Sequence, residues 1–418
     1  MLRRLQLSIV ALALVVAAFS TGLAFLFYLV YLGALVVGGS YVLTRLGLSD
    51  LEAGYAVDQL SGHVGDRVRV TYTVRNTSAI PKPWLAIHNP TSLPAGLPGR
   101  ALALGSKSER SWLVRTPLTR RGHFRVEPLS IRTGDPFGFF ESAATVGSGV
   151  TVVVYPRIEP LPRWRLPAAN IEGSHASPTR TQQTTPLATT VRPWAPGDGF
   201  NRIHWKATAR HSEIFVKEFE LEQTADAWII LDLDRRAQSG SGDTSTVEVA
   251  VRAAASIADH ALKENRAVGV TVNGHRLTQL PPDRGSRQHL KIMQLLAAVE
   301  GDGATPLEEA LVVATPRIRR GVTAVIITAS LETRWVRSLA ALRSRGIACT
   351  VAIFDLEAFE AQARAEEANR RGLRRPSVHE PDPAKVERLR ALRRALTEYD
   401  VAVHVLHPTA PLGEAFVS

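Results

Sequence analysis

The chain has 418 residues, 45% hydrophobic and 21% charged, ordinary globular usage that excludes a low-complexity or wholly disordered protein and leaves room for two or three domains. Its single cysteine, Cys349, excludes an intrachain disulfide and any cysteine-based metal site. A formal charge of +11 makes the surface basic, which suits an anionic membrane face or an acidic partner as well as nucleic acid, so charge alone selects no function.

Between Arg4 and Arg45 lie 40 residues without a formal charge. About 20 apolar residues cross a bilayer. One continuous helix of that length would be about 60 Å long, twice the roughly 30 Å hydrocarbon core. Residues 1–46 are therefore expected to form a transmembrane helical hairpin, with spans from about Leu2 to Phe19 and from about Leu23 to Leu43 and a turn at Ser20-Thr21-Gly22. Arg3, Arg4 and Arg45 then share one side, and the positive-inside rule places that side and everything after it in the cytoplasm. A secretory signal peptide is the competing reading, since Arg3-Arg4, an apolar run and Ala18-Phe19-Ser20 follow its layout. Cleavage would leave residues 23 to 43 as a new hydrophobic N-terminus, which argues against it.

Residues 50–158 change to an alternating pattern. Val68, Val70, Tyr72 and Val74 fall on one face of a strand, with Gly65-Asp66 before it and Asn76-Thr77-Ser78 after it as turns. Short runs at Trp84 to His88, Ala101 to Leu104, Ser111 to Arg115, Gly122 to Leu129 and Val150 to Tyr155 give the cadence of a small β-sandwich. Asp135-Pro-Phe-Gly-Phe-Phe140 reads as a tight turn followed by an apolar plug. Residues 159–190, rich in Pro, Thr, Ser and Gln, read as a linker.

Residues 191–222 bring back order. Arg192-Pro-Trp-Ala-Pro-Gly-Asp-Gly-Phe-Asn-Arg-Ile-His-Trp-Lys-Ala-Thr-Ala-Arg210 opens with a turn. Asp198 is placed to cap a following helix of about a dozen residues, on which Arg202, Lys206 and Arg210 recur every fourth residue as a basic stripe. The stretch resembles the signature of the bacterial DUF58 family, approximately Arg-x-Tyr-x-Pro-Gly-Asp-x-x-Arg-x-Ile-Asp/His-Trp-Lys-x-Thr/Ser-Ala-Arg, with Trp194 at the usual Tyr. The resemblance runs the length of the chain: two spans, a β domain with its Asp-Pro-Phe-Gly turn, the signature, then a von Willebrand factor A-like domain. Genes of that family commonly lie beside a MoxR-type AAA+ ATPase, which implies such a partner; the resemblance brings no catalytic residues.

The signature residues Arg192, Trp194, Asp198, Arg202, His204, Trp205, Lys206 and Arg210 are the candidate partner-binding set. Planar guanidinium groups recognise acidic or phosphate-bearing surfaces bidentately. The plainer reading is that Arg192, Arg202 and Arg210 pair with local carboxylates such as Asp198, Glu218 and Glu220. A third, acid/base chemistry through Asp198 and His204, has no nucleophile or metal in view.

Residues 223–418 alternate apolar runs with helical patterns: strands at Ala227 to Leu231, Ala267 to Val272, Thr323 to Thr328, Ala348 to Phe354 and Val401 to Leu406, with helices between. That is the α/β class, a doubly wound, von Willebrand A-like sheet. Cys349 lies within such a run, as a buried strand residue. Metal-binding von Willebrand A domains end the first strand in Asp-x-Ser-x-Ser; this chain has Asp232-Leu-Asp-Arg-Arg236. Asp232, Asp234 and Thr305 keep oxygen atoms for a Mg ion, Arg236 sets a positive charge beside it, and Thr328-Ala-Ser330 lacks the later Asp, so the site is degenerate.

Ala361 to Arg394 holds ten Lys/Arg and five Asp/Glu. It reads as a solvated helical insert, with contact to anionic lipid as the alternative. Interleaved aromatics and nucleic-acid motifs are missing from it, and no nucleic-acid partner is expected. No Gly-x-Ser-x-Gly, His-Glu-x-x-His, Walker or Rossmann motif occurs. The expectation is a non-enzymatic, multi-pass scaffold of the bacterial inner membrane that needs no cofactor, with soluble domains in the cytoplasm and a MoxR-type AAA+ ATPase as partner. Its rival is a Mg-dependent ligand-binding or adhesion module built on Asp232.

Overall fold

The computed structural model describes residues 2–167, 190–195, 198–200, 203–211, 213–218, 226–372 and 382–417. They divide into two units, Met1–Arg157 with Met293–Ala298, and Ile158–Ile292 with Val299–Ser418.

The first unit begins with α1 (Leu2–Thr21) and α2 (Ala24–Gly47). The chain turns at Gly22, whose φ of +65° only glycine adopts without strain, and Phe19 meets Phe27 edge to face at 5.3 Å. Gly22 lies within the expected turn; the first helix runs two residues past the expected end at Phe19 and the second runs on to Gly47. By length and composition α2 can cross a membrane; the apolar part of α1, Ile9–Thr21, is shorter than a full span.

Ten strands follow: β1 (Leu51–Val57), β2 (Ser61–His63), β3 (Arg67–Asn76), β4 (Lys82–His88), β5 (Arg100–Leu104), β6 (Glu109–Pro117), β7 (Gly122–Val126), β8 (Leu129–Gly134), β9 (Glu141–Val146) and β10 (Val150–Tyr155). They form sheets ordered β1-β3-β6, β2-β10-β7 and β5-β4-β8-β9. Strict alternation along β3 buries Val68, Val70, Tyr72 and Val74, which join Leu85, Ile87, Leu129, Ile131 and Val152 in one core.

The end of α2 is fastened to this core. Lys82, 1% exposed, donates from Nζ to the Leu46 carbonyl, one of the last-turn acceptors that a helix cannot satisfy itself. Burial lowers the Lys82 pKa from its ordinary value and Asp50 acts against that. A Cβ on Gly47 would stand 2.7 Å from Thr133 Cγ2, so only glycine permits this approach.

In the Asp135–Phe140 turn, Asp135 accepts from the backbone N–H groups of Phe137 at 2.9 Å and Phe140 at 2.6 Å. Burial works to raise its pKa, but the N–H groups of Phe140, Phe139 and Phe137 outweigh it and hold the carboxyl below the ordinary value. The tight turn is as expected and the plug is not: Phe137 is 55% exposed.

The second unit is mixed α/β. Its ribbon pairs β11 (Thr190–Pro193) with β12 (Phe215–Glu218), flanking the short α3 (Trp205–His211). Then come β13 (Asp226–Asp232), α4 (Thr246–Lys263), β14 (Val268–Asn273), β15 (Leu277–Asp283), α5 (Gly285–Ala298), α6 (Leu307–Ala314), β16 (Val322–Thr328), α7 (Val336–Ser344), β17 (Ala348–Phe354), α8 (Leu356–Arg370), α9 (Pro383–Glu398), β18 (Ala402–Leu406) and α10 (Leu412–Ala415). The sheet order is β15-β14-β13-β16-β17-β18; all neighbours are parallel except the edge strand β15. Continuous burial along β14 and β16 is what a sheet covered on both faces requires. Cys349 lies buried in β17, where burial pushes its thiol up to about 12. From β13 the chain winds to one side and then crosses to the other, so the switch point lies between the carboxyl ends of β13 and β16, where such sheets take ligands.

Candidate functional site

Among the described residues, the signature forms a loop held by the Arg192 and Asp198 ion pair. Arg192 grips Asp198 with both arms, Nη1 to Oδ2 at 2.7 Å and Nη2 to Oδ1 at 2.8 Å. Asp198 also accepts from the backbone N–H of Ala195 at 3.0 Å, and Trp194 Nε1 donates to the Asp198 carbonyl at 3.3 Å. The carboxylate therefore closes its own loop instead of capping the helix. The helix starts at Trp205, and its first turn is capped by His204, whose Nδ1 accepts from the Ala207 N–H at 3.0 Å. Ile203 and Val216, both buried, pair as an isolated bridge that pins helix to ribbon; the His204 N–H adds a bond to the Phe215 carbonyl at 2.8 Å.

What this frame displays is apolar and basic. Phe200 is 77% exposed, Trp205 71% and Trp194 37%, with Lys206 and Arg210 exposed one turn apart on α3. Arg202 lies outside the described residues, so the basic stripe is described only at Lys206 and Arg210. Scattered surface apolar residues need no explanation, whereas three large aromatics on one short, braced segment have the composition of an interface centre.

The Asp232 loop sits at the switch point, and both of its carboxylates are bonded within the protein. Asp232, 1% exposed, accepts at Oδ1 from Asn273 Nδ2 at 3.0 Å and from the Asp234 N–H at 3.2 Å, and at Oδ2 from Thr328 Oγ1 at 2.7 Å. Burial raises its pKa; those bonds oppose the shift. Asp234 is held by Arg236, with Nη2 to Oδ2 at 2.6 Å and Nε to Oδ1 at 3.0 Å. The Thr305 carbonyl accepts from Asn273 Nδ2 at 2.9 Å. Gly303 threads between the Asn273 and Leu233 carbonyls, each 2.8 Å from where a Cβ would lie.

A divalent ion would take Asp232, Asp234 and Thr305 only in competition with Asn273, Thr328 and Arg236, whose guanidinium already supplies a cation. Among the described residues no group of three or more His, Cys, Asp or Glu stands together as a metal site. Beside the loop opens a cleft of about 600 Å³, lined by Asp234, Arg236, Glu308, Glu309, Arg334 and Lys385 among others. Its charges are mixed, and Lys385 is bound to Glu360 at 2.5 Å.

Residues 190–361, from the ribbon through most of the six-stranded sheet, match the family described as protein of unknown function DUF58. The likeness to that family is to this segment of the chain. The chain is 26% identical to the uncharacterized protein YeaD of Bacillus subtilis over 293 residues, covering 68% of this chain and 69% of that protein. It is 27% identical to the uncharacterized protein Rv1480 of Mycobacterium tuberculosis over 173 residues, covering 39% of this chain and 53% of that protein, about half its length. Both relatives are bacterial. Among solved structures, the CARDB domain of PF1109 from Pyrococcus furiosus is 15% identical, covering 25% of this chain and 87% of that one with a TM-score of 0.19. Proximal thread matrix protein 1 from the mussel byssus is 11% identical, covering 31% and 38% with a TM-score of 0.26. Likenesses at those scores carry no argument.

Of the eight signature candidates, the seven that lie among the described residues divide by geometry. Arg192 and Asp198 bind each other and His204 caps α3, so these three build the frame. Trp194, Trp205, Lys206 and Arg210 are presented on it. Phe200, the most exposed of the aromatics, was not among the residues singled out from sequence; its place between the Gly199 turn and the signature's central Ile203 was the available signal.

Proposed function

We propose that this chain is a non-catalytic, membrane-anchored scaffold whose von Willebrand A-like domain docks an acidic face of a MoxR-type AAA+ ATPase at the cytoplasmic side of a bacterial inner membrane. The observation that carries the reading is the braced signature loop: exposed Phe200 and Trp205 beside exposed Lys206 and Arg210, on a frame held by the Arg192 and Asp198 pair. Aromatic anchors with a cationic rim fit a partner that offers apolar pockets edged by carboxylates. Three groups that acid/base or nucleophilic chemistry could draw on are engaged or buried. Asp198 is occupied by Arg192, His204 Nδ1 by Ala207, and Cys349 is buried. The anchor rests on α2, apolar and long enough to span, with Arg3, Arg4 and Arg45 orienting it.

Charge reversal tests the docking. Full-length chain in detergent should capture a purified MoxR-type ATPase of the same organism, and Lys206→Glu with Arg210→Glu should cut capture at least tenfold. The loss should shrink as salt rises, because steering between exposed charges is screened. Undiminished capture by the double variant removes the signature from this role.

A further inference from the structure

We propose that the Gly134–Phe140 loop of the β domain is a lipid-contacting element, with Phe137, Phe139 and Trp84 seated in the interfacial layer of the bilayer that α2 crosses. The inference rests on α2 being a membrane span and adds to it a second point of contact, made by a folded domain.

The loop is tied to the helix at a known height. Phe140 meets Tyr41 of α2 edge to face, with ring centroids 5.6 Å apart. Tyr41 precedes Arg45 by four residues, which at about 1.5 Å per residue puts it about 6 Å further into the membrane than that charge. With Arg45 at the headgroups, Tyr41 and the loop against it lie within the interface. The Lys82 and Gly47 contacts fasten the helix end to β4 and β8, so the domain cannot swing the loop away without breaking them.

The loop's chemistry suits that height. Pro136 to Phe140 carry no charge, and the one carboxylate, Asp135, is buried and bonded to the loop's own N–H groups. Phe137 is 55% exposed and stacks on Phe139 at 5.7 Å. Trp84, 43% exposed, lies beside the loop: a Cβ on Gly134 would be 3.4 Å from its ring. Tyr41, Val42 and Leu43 of α2 are also exposed, so the loop's apolar surface continues that of the span. Trp and Tyr, here Trp84 and Tyr41, gather at this depth because their apolar bodies partition while their polar edges stay wet, and Phe137 and Phe139 add apolar area beside them. Lipid, rather than a second copy of the chain, is the occupant that this continuity selects.

Depth-dependent quenching tests it. In a Cys349→Ala background, the full-length chain carries an environment-sensitive nitrobenzoxadiazole at Phe137→Cys, at Leu35→Cys in α2, or at Ser148→Cys, beyond the opposite end of β9. A Phe139→Cys variant repeats the measurement within the loop. In phosphatidylcholine and phosphatidylglycerol vesicles, doxyl-labelled lipid should quench the label at residues 35, 137 and 139 at least twofold and leave 148 unchanged. Quenching at 35 with none at 137 and 139 overturns the proposal while the anchor stands, and equal quenching at 137 and 148 overturns it too. Absence of quenching at 35 overturns the anchor, and the proposal with it.

Discussion

Asp232→Ala is expected to destabilise the second unit by about 3–5 kcal/mol, because it strands three buried donors at about 1–3 kcal/mol each, with losses that are not additive. Those donors are Asn273 Nδ2, the Thr328 hydroxyl and the Asp234 N–H, and they tie the ends of β13, β14 and β16 together. Hydrogen exchange at the amides of β13 and β16 reports the loss directly. Asp232→Asn keeps an acceptor for Asn273 and a partner for Thr328, so it should cost about 1 kcal/mol.

The same carboxyl gives a pH signature. Burial raises its folded-state pKa above the ordinary value, so the folded chain holds that proton more tightly than the unfolded chain. Stability therefore falls as pH rises from the ordinary value through the raised one, and Asp232→Asn should lack that slope. The rival metal reading makes an opposite forecast for Mg. A bound ion would stabilise the wild type by about 2.7 kcal/mol at a hundredfold excess over its dissociation constant. With Arg236 already on Asp234, millimolar Mg should leave exchange unchanged. Micromolar Mg binding abolished by Asp232→Ala would revive the adhesion module.

Trp205→Ala should weaken ATPase binding about 30-fold or more, the loss typical of a central aromatic anchor, and Phe200→Ala should match it. Neither change should lower stability, since both side chains stand mostly in solvent. Trp194→Ala should cost less in affinity and something in loop order, because its ring is more covered and its N–H is spent on the Asp198 carbonyl. Arg192→Ala should weaken binding without removing any displayed residue, by freeing the loop. Titration by biolayer interferometry, with circular dichroism as the folding control, distinguishes these outcomes.

Much of this was legible in sequence, for identifiable reasons. The β3 alternation and the apolar runs of β13, β16 and β17 are strong signals because burial on one face or both writes itself into residue period. β15 was missed: Pro281 and Pro282 argue against a strand, and the chain accommodates them by placing it at the sheet edge, where missing donors are tolerated. β9, Glu-Ser-Ala-Ala-Thr-Val, is too small and polar to signal at all.

In the signature, the residue types suggested that Arg192, Arg202 and Arg210 pair with carboxylates such as Asp198, Glu218 and Glu220; the structure joins Arg192 to Asp198, while Arg202 and Glu220 lie outside the described residues. Exposure of Phe200, Trp205 and Phe137 was not legible, because aromatic side chains default to the core and only packing shows which ones find no room there. Asp198 matched a helix cap by composition alone, and its stronger attachment to Arg192 prevailed. At Asp232 the sequence showed a charge near the acids; that Arg236 grips Asp234 with two nitrogens is a matter of geometry.

The most direct measurement is photo-crosslinking in cells, with benzoylphenylalanine at Phe200 of the full-length chain and, as control, at the exposed Val312 on α6. The docking account predicts an ultraviolet-dependent adduct with the MoxR-type ATPase from position 200, absent from 312 and lost on Lys206→Glu with Arg210→Glu. An adduct that forms from 312 and not from 200, or no ATPase adduct from 200 in cells expressing both proteins, would contradict it.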